Sequence, residues 1–359
     1  MPAQWRELSA EQRRIAADAI QLYEHHLELS TEMRAMAGGM FWKTVDHHVY
    51  LVRSLDRDGH IRSLGSRAPR TEAIYNDFVA RKKELRARTA SIASELRRKA
   101  KFCVAAGVNR VPSIAANIAR VIDRAGLLGH HLILLGSHAL YAYEIAAGVA
   151  FKTALLQTQD LDALLDPYSP LEIGAPIRKL GIIGLLKKVD KTFAPARELS
   201  FRATNHKGFT VELLRPVKAH RELPGASSIG MGKDLLAEQL LGLDWILAGP
   251  RFAQIIIGGN GFPARFVVPD PRVFALHKIW LSLQPTRSPI KRKRDFRQGE
   301  AVARVAIEYL NLSFKDSSLR GLPSELSSAV SPLLSRLQSR GARGIESELP
   351  PGFYDDEDD

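Results

Sequence analysis

Between Leu134 and Asp166 an apolar run ends on Gly-Ser, a helical pattern follows, and a second apolar run carries two aspartates, Asp160 and Asp162. Carboxylates are rarely placed among leucine and alanine, so this stretch constrains the fold more than any other. HLILL over 131–135 reads as a buried strand. Gly136 and Ser137 then stand where backbone N–H groups at a helix N-terminus can hold phosphate. Period two along QDLDALL puts Asp160 and Asp162 on one face, and a later alternating strand, FTVELL from Phe209 to Leu214, can bring Glu212 to that face. Like charges on adjoining strands are destabilising without a counter-ion, and hard carboxylate oxygens suit Mg²⁺ or Mn²⁺. The expected chemistry is metal-assisted attack on a nucleotide phosphate. In it Asp160, Asp162 and Glu212 are catalytic acids and metal ligands, and Gly136 and Ser137 are nucleotide contacts.

With 359 residues, 45% of them hydrophobic, the chain has room for two or three domains and a sizeable core. No apolar run reaches the roughly 20 residues that cross a bilayer, and MPAQWRELSAEQRR lacks the apolar core of a signal peptide. A cytoplasmic location without a membrane partner is expected. One cysteine, Cys103, excludes an internal disulfide and a cysteine metal cluster. The net charge of +12 favours polyanionic partners. Basic residues concentrate over 81–101 and in KRKRDFR at 291–297, whereas the chain ends in DDEDD. As solvated faces or as polyanion contacts, both basic stretches are open readings.

Residues 1–125 read as a helical N-terminal region. A helix starts near Ser9 and Glu11, a β-hairpin spans 49–65 round an Asp-Gly turn, and a long helix after Thr71 is spaced on Ile74, Phe78, Leu85, Ile92 and Leu96. Residues 126–225 alternate strand and helix and form the expected catalytic domain, a mixed sheet with flanking helices in an α+β chain. Residues 226–311 are expected to complete the nucleotide cleft. They comprise a helical run, DLLAEQLLGLDWILAG, a strand pair round Asn260-Gly261, and a helical stretch from Pro271 broken by the loop QPTRSPIKRK. Residues 312–359 read as a tail, partly disordered, with a possible helix before the acidic end.

Other polar residues have plainer readings. His130, His131 and His138 flank the Gly-Ser turn without the spacing of a zinc site and read as structural. Tyr141 and Tyr143 read as core. The run Gly258-Gly259-Asn260-Gly261 lacks the Lys-Ser/Thr of a Walker motif and reads as a hairpin turn.

Leu135-Gly136-Ser137, Asp160-Leu161-Asp162-Ala163 and the later strand acid together resemble the nucleotidyltransferase fold shared by DNA polymerase beta and many small bacterial transferases. Here 22 residues, His138 to Gln159, separate the first two parts, a longer spacing than in most members. That longer form, with ALYAYE, AAGVAF and TQDLD, is similar to a poorly characterised bacterial branch. PDPRVFALHKIWLS followed by KRKRDFRQGEAV is similar to the helical segment of abortive-infection-type toxin transferases, which implies that Lys278 and the pair Arg294-Asp295 lie near the nucleotide. The resemblance covers about residues 45–310. It implies a Mg²⁺-dependent nucleotidyltransferase that moves a nucleoside monophosphate from an NTP to an RNA such as tRNA, or to a protein hydroxyl. Its alternative is a non-catalytic nucleotide- or RNA-binding member of a toxin-antitoxin pair. Glu212 stands where relatives carry aspartate, which lengthens that ligand by one methylene.

Overall fold

The computed structural model describes residues 4–54, 60–169, 173–198, 200–217, 228–324, 326, 328 and 331. The acidic end of the chain lies outside them. Two compact units divide the chain, one of residues 1–13, 109–259 and 263–359, the other of residues 14–108 and 260–262.

The smaller unit is built on two long helices. Ala10–Ala35 starts at Ser9, whose Oγ accepts the Gln12 N–H while the Gln12 side chain accepts the Ser9 N–H, closing a capping box. Pro69–Ala105 begins with proline in its first turn, and Thr71 Oγ1 accepts the Ala68 N–H at 2.9 Å. Phe78, Leu85 and Leu96 of the expected spacing are buried, and Ile74 is exposed. Strands His48–Ser54 and Ile61–Ser66 pair antiparallel, as the hairpin reading requires. The Asp-Gly turn between them lies outside the described residues. A third strand, Met40–Val45, pairs with His48–Ser54 through Asp46 and His47, both at positive φ. This two-residue turn escapes sequence reading because it uses the left-handed region without glycine.

The larger unit holds a mixed sheet. Its strands run in the order Leu132–Leu134, Asp160–Leu165, Thr210–Pro216, Arg202–Thr204, Ala194–Pro195, and Glu238–Leu240 also pairs with Thr210–Pro216. Asp160–Leu165 and Thr210–Pro216 are parallel, and the outer pairings with Leu132–Leu134 and Arg202–Thr204 are antiparallel. Helices Ser113–Arg124, Leu140–Ala147 and Ala175–Lys187 contribute their apolar residues to the same core as the strands, so the expected sheet with flanking helices is what the chain forms. Arg251–Ile257 and Pro263–Pro269 pair antiparallel, and helices Pro271–Leu283 and Pro289–Glu308 follow. The GGNG run therefore turns a hairpin.

The run expected as one helix after Lys233 divides instead. Asp234 accepts backbone N–H groups from Ile182, Ile183 and Gly230, at 2.9, 3.0 and 2.8 Å. Thus fixed, it leads into the strand Glu238–Leu240, which adds to Leu214–Pro216 in parallel. Only after Gly242, at φ 81°, does a short helix, Leu243–Ala248, form. The loop expected up to Lys293 is also shorter, since Pro289 opens a helix that takes up the KRKR run. No helix among the described residues is long and apolar enough to cross a membrane.

Candidate functional site

Alternation along Asp160–Leu165 buries Leu161 and Ala163 and leaves Asp160 exposed and Asp162 half-buried on the other face. The parallel register sets Glu212 beside Asp162 and Thr210 beside Asp160. Neighbours in register share a face of the sheet, so the three acids stand on one face. Burial, then the charge of Glu212, pushes the Asp162 carboxyl up to about 6, with Lys278 acting against them and Asp160 adding to the rise. Burial also raises Glu212, Arg202 opposes it and Asp160 adds to the rise.

Among the described residues, Glu212 has one resident counter-ion. Arg202, its cross-strand neighbour, places Nε 2.7 Å from Glu212 Oε1. Among the described residues no three or more His, Cys, Asp or Glu side chains close round one point to hold a metal ion. What this face offers a cation is carboxylate oxygen, the donor type that hard divalent ions take, together with charge that Arg202 offsets only at Glu212.

The Gly-Ser turn lies against the first of these strands. Leu135 N–H donates to the Asp162 carbonyl at 2.8 Å. Gly136 follows at φ 64°, and a Cβ there would collide with the Asp162 carboxylate. Glycine is thus required twice, by backbone conformation and by the space Asp162 fills. Ser137 is buried within the short turn that leads into Leu140–Ala147, and its Oγ accepts from Gln298 Nε2 at 2.9 Å. Gln298 also donates to the Leu155 carbonyl at 2.6 Å, so helix Pro289–Glu308 fixes the turn from behind. That contact leaves the Ser137 hydroxyl hydrogen free to donate.

Lys278 is buried with its ammonium 2.6 Å from Asp295 Oδ1, and Arg287 Nε lies 2.8 Å from Asp295 Oδ2. Burial drives Asp295 up, but the two cations outweigh it and hold the carboxyl below its usual range. Two cations on one anion leave a surplus positive charge, and both act on Asp162. The structure thus brings Lys278 to the acids, though tied to Asp295. Arg294 does not share that carboxylate. It points to the Gln157 carbonyl at 3.4 Å, on the segment that leads into Asp160. Sequence reasoning missed Arg202, Arg287 and Gln298. For Gln298 a signal existed, since it stands three residues after Asp295 on the same helix face.

His138 is buried between the rings of Tyr141 and Phe209, and burial brings it down to about 4, which keeps it neutral. Tyr143 is core, with its hydroxyl donating to the Pro269 carbonyl at 2.8 Å. Glu144, likewise unflagged by the sequence, is buried under Arg110, 2.8 Å away.

The model of a family described as nucleotidyltransferase matches residues 113–322, the segment that carries every residue of this site. No curated protein and no solved structure matches the chain.

Proposed function

The chain belongs to the nucleotidyltransferase family, and from that membership we propose that it moves a nucleoside monophosphate from an NTP to an acceptor hydroxyl. The acceptor oxygen forms a bond to the α-phosphorus, the bond to the bridging oxygen breaks, and pyrophosphate leaves. A divalent cation, Mg²⁺ or Mn²⁺, held by Asp160, Asp162 and Glu212 would neutralise phosphate charge and acidify the attacking hydroxyl. The observation that carries this reading is the register of Glu212 beside Asp162, with Gly136 packed against the same carboxylate.

The remaining roles belong to this chain's own groups. Backbone N–H groups after Gly136 and the Ser137 hydroxyl face the triphosphate. Arg202 holds Glu212 Oε1, which leaves Oε2 for the cation or for the hydroxyl proton. The surplus charge of Lys278 and Arg287 over Asp295 offsets the leaving pyrophosphate, and Arg287, the less buried of the two, is the one placed to touch it. Arg294 adds a further cation. The acceptor is an RNA end such as that of tRNA, or a protein hydroxyl, and the likeness over 269–302 supports a reading near abortive-infection-type toxin transferases acting in the cytoplasm.

The Arg202–Glu212 pair favours a second reading. A protein that neutralises its third acid internally can keep the fold as a non-catalytic nucleotide- or RNA-binding member of a toxin-antitoxin pair. Incubation with each α-labelled NTP, cellular RNA and cellular protein separates the two. Label on either fraction, with pyrophosphate released only when Mg²⁺ is present, supports transfer. Asp160→Ala with Asp162→Ala should then bring transfer to background, beyond the roughly 10–100-fold that loss of a supporting partner costs. Full NTP and Mg²⁺ stabilisation in that double variant would remove the acids from the site.

A further inference from the structure

Gln159, the residue before Asp160, lines a cleft of about 690 Å³ that none of the three acids lines. Its other walls are the start of Ser113–Arg124, with Ser113 and Asn117, and the loops carrying Lys191 and Lys207. The volume falls within the range of about 300–1,000 Å³ typical of ligand sites. Its acid is already committed. Asp190 Oδ1 accepts from the Thr192 N–H and hydroxyl at 2.9 and 2.6 Å, and Oδ2 accepts from Asn205 Nδ2 at 3.0 Å. Lys191 and Lys207 are exposed, and among the described residues their ammonium groups have neither ion pair nor hydrogen bond. The cleft is therefore a recess with two unpaired lysines on its rim, lined by amide and hydroxyl groups, His206 and the apolar side chains of Ile114, Val189 and Phe209, and Gln159 in its wall precedes Asp160 in the chain.

We infer that this cleft takes the backbone of a single-stranded polynucleotide acceptor, just behind its reacting 3′ end. For what happens at that end the inference rests on the nucleotidyl-transfer reading. An occupant confined to the cleft touches none of Asp160, Asp162 and Glu212, so a mononucleotide there would bind without reaching the chemistry. An extended polyanion spans both. Lys191 and Lys207 meet phosphates, while Ser113, Asn117 and Gln159 meet ribose hydroxyls and the edges of unstacked bases. A protein acceptor with a single reacting hydroxyl would leave the two unpaired lysines unused.

The test uses the full chain and a short, fluorescent, single-stranded oligoribonucleotide ending in a 3′-deoxy residue, titrated over a salt series without NTP or metal. Lys191→Gln with Lys207→Gln should weaken binding and shallow the log–log salt dependence by about 1.4, or about 0.7 for each phosphate contact on a single strand. Thermal stabilisation by NTP with Mn²⁺ should stay as in the wild type, because neither lysine lies among the acids. Unchanged affinity and slope with intact NTP stabilisation would overturn the proposal. So would competition by inorganic phosphate or a mononucleotide as effective as that by unlabelled oligomer, or a protein that takes label while the oligomer fails to bind. Should the double variant also lose NTP stabilisation, Lys191→Arg with Lys207→Arg decides, since restored charge must restore the slope. Intact oligomer binding without nucleotidyl transfer would leave the cleft standing and remove only the enzymatic reading.

Discussion

One face of the larger unit's sheet gathers charges of one sign, whereas the long helix of the smaller unit pairs charges of both. On the sheet, Asp160, Asp162 and Glu212 share a face, and among the described residues only Glu212 has a counter-ion on a neighbouring strand. On helix Pro69–Ala105, Arg81 bridges Glu32 and Glu84 at 2.6 and 3.2 Å, Arg98 meets Glu95, and Lys99 lies 2.7 Å from Asp18. The helix is the more conspicuous of the two as a sequence, because basic residues crowd it. Paired charges, however, are largely answered within the chain, and such pairs mostly hold helices in register and keep a surface wetted. Charge that the fold leaves unanswered is what a ligand can answer, which directs attention to the acids, to Lys191 and Lys207, and on the long helix to Lys83, Arg86, Arg97 and Lys101, which have no ion pair among the described residues, rather than to its paired charges.

Breaking the compensation behind the acids should have the largest effect on stability. Asp295→Ala leaves both Lys278 and Arg287 without their shared carboxylate in a buried place. Removal of one partner from a buried ion pair costs about 3–5 kcal/mol, and chemical denaturation should read a loss of that order. A loss under about 1 kcal/mol would show the network to be as exposed and slack as the pairs of the long helix. Gly136→Ala comes next. The left-handed backbone alone costs roughly 1–2 kcal/mol, and displacement of the Asp162 carboxylate adds to it, so NTP-dependent stabilisation should fall along with the melting temperature. Retained stability would mean that the turn adapts, and that Asp162 is less tightly placed than its contact with Gly136 indicates.

The acids were legible in the sequence because alternation is local. Two residues apart in a strand fixes a shared face for Asp160 and Asp162, and TVELL does the same for Glu212 once the strands are neighbours. The hairpin over 251–269 and the helix after Thr71 were legible for similar reasons, through Asn-Gly and helical spacing. The groups that answer or support the acids were not. Arg202 depends on the register of an antiparallel strand, Gln298 reaches Ser137 across 161 residues of sequence, and Arg287 stands in what reads as a plain loop. Nothing in residue type or period marks such partners, because packing chooses them. The strand Glu238–Leu240 was hidden for the converse reason, since its Glu, Gln and Leu suit a helix and only the open edge beside Leu214 makes it a strand.

Asp162 gives the comparison a pH axis. Its carboxyl titrates at about 6 in the folded chain against an ordinary 3.8, so protons leave the unfolded chain first as pH rises. The metal-free fold therefore loses stability between about pH 4 and pH 6 through this group, and the loss stays constant above. Asp162→Asn removes that loss. The variant should melt above the wild type by a margin that is small near pH 4, grows to about 3 kcal/mol by pH 7 and then levels. Mn²⁺ should stabilise the wild type and erase the margin while leaving the variant largely unmoved. A margin independent of pH would assign it to packing.

The smallest effect belongs to the long helix, where the same substitution logic runs the other way. Arg98→Gln removes a charge whose partner, Glu95, sits one turn away on an open surface. Pairs of that spacing contribute about 0.2–0.5 kcal/mol, so the melting temperature should fall by a degree or two at most, and high salt should abolish the difference by screening the pair in the wild type. Binding of the single-stranded oligoribonucleotide should keep its affinity and salt slope, in contrast to the loss expected at Lys191 and Lys207. A shallower slope in Arg98→Gln would show that a phosphate displaces Glu95 from the arginine. Local pairing would then be no guide to which charges meet a ligand, and the contrast between the two units would fail at the point where it makes its most specific claim.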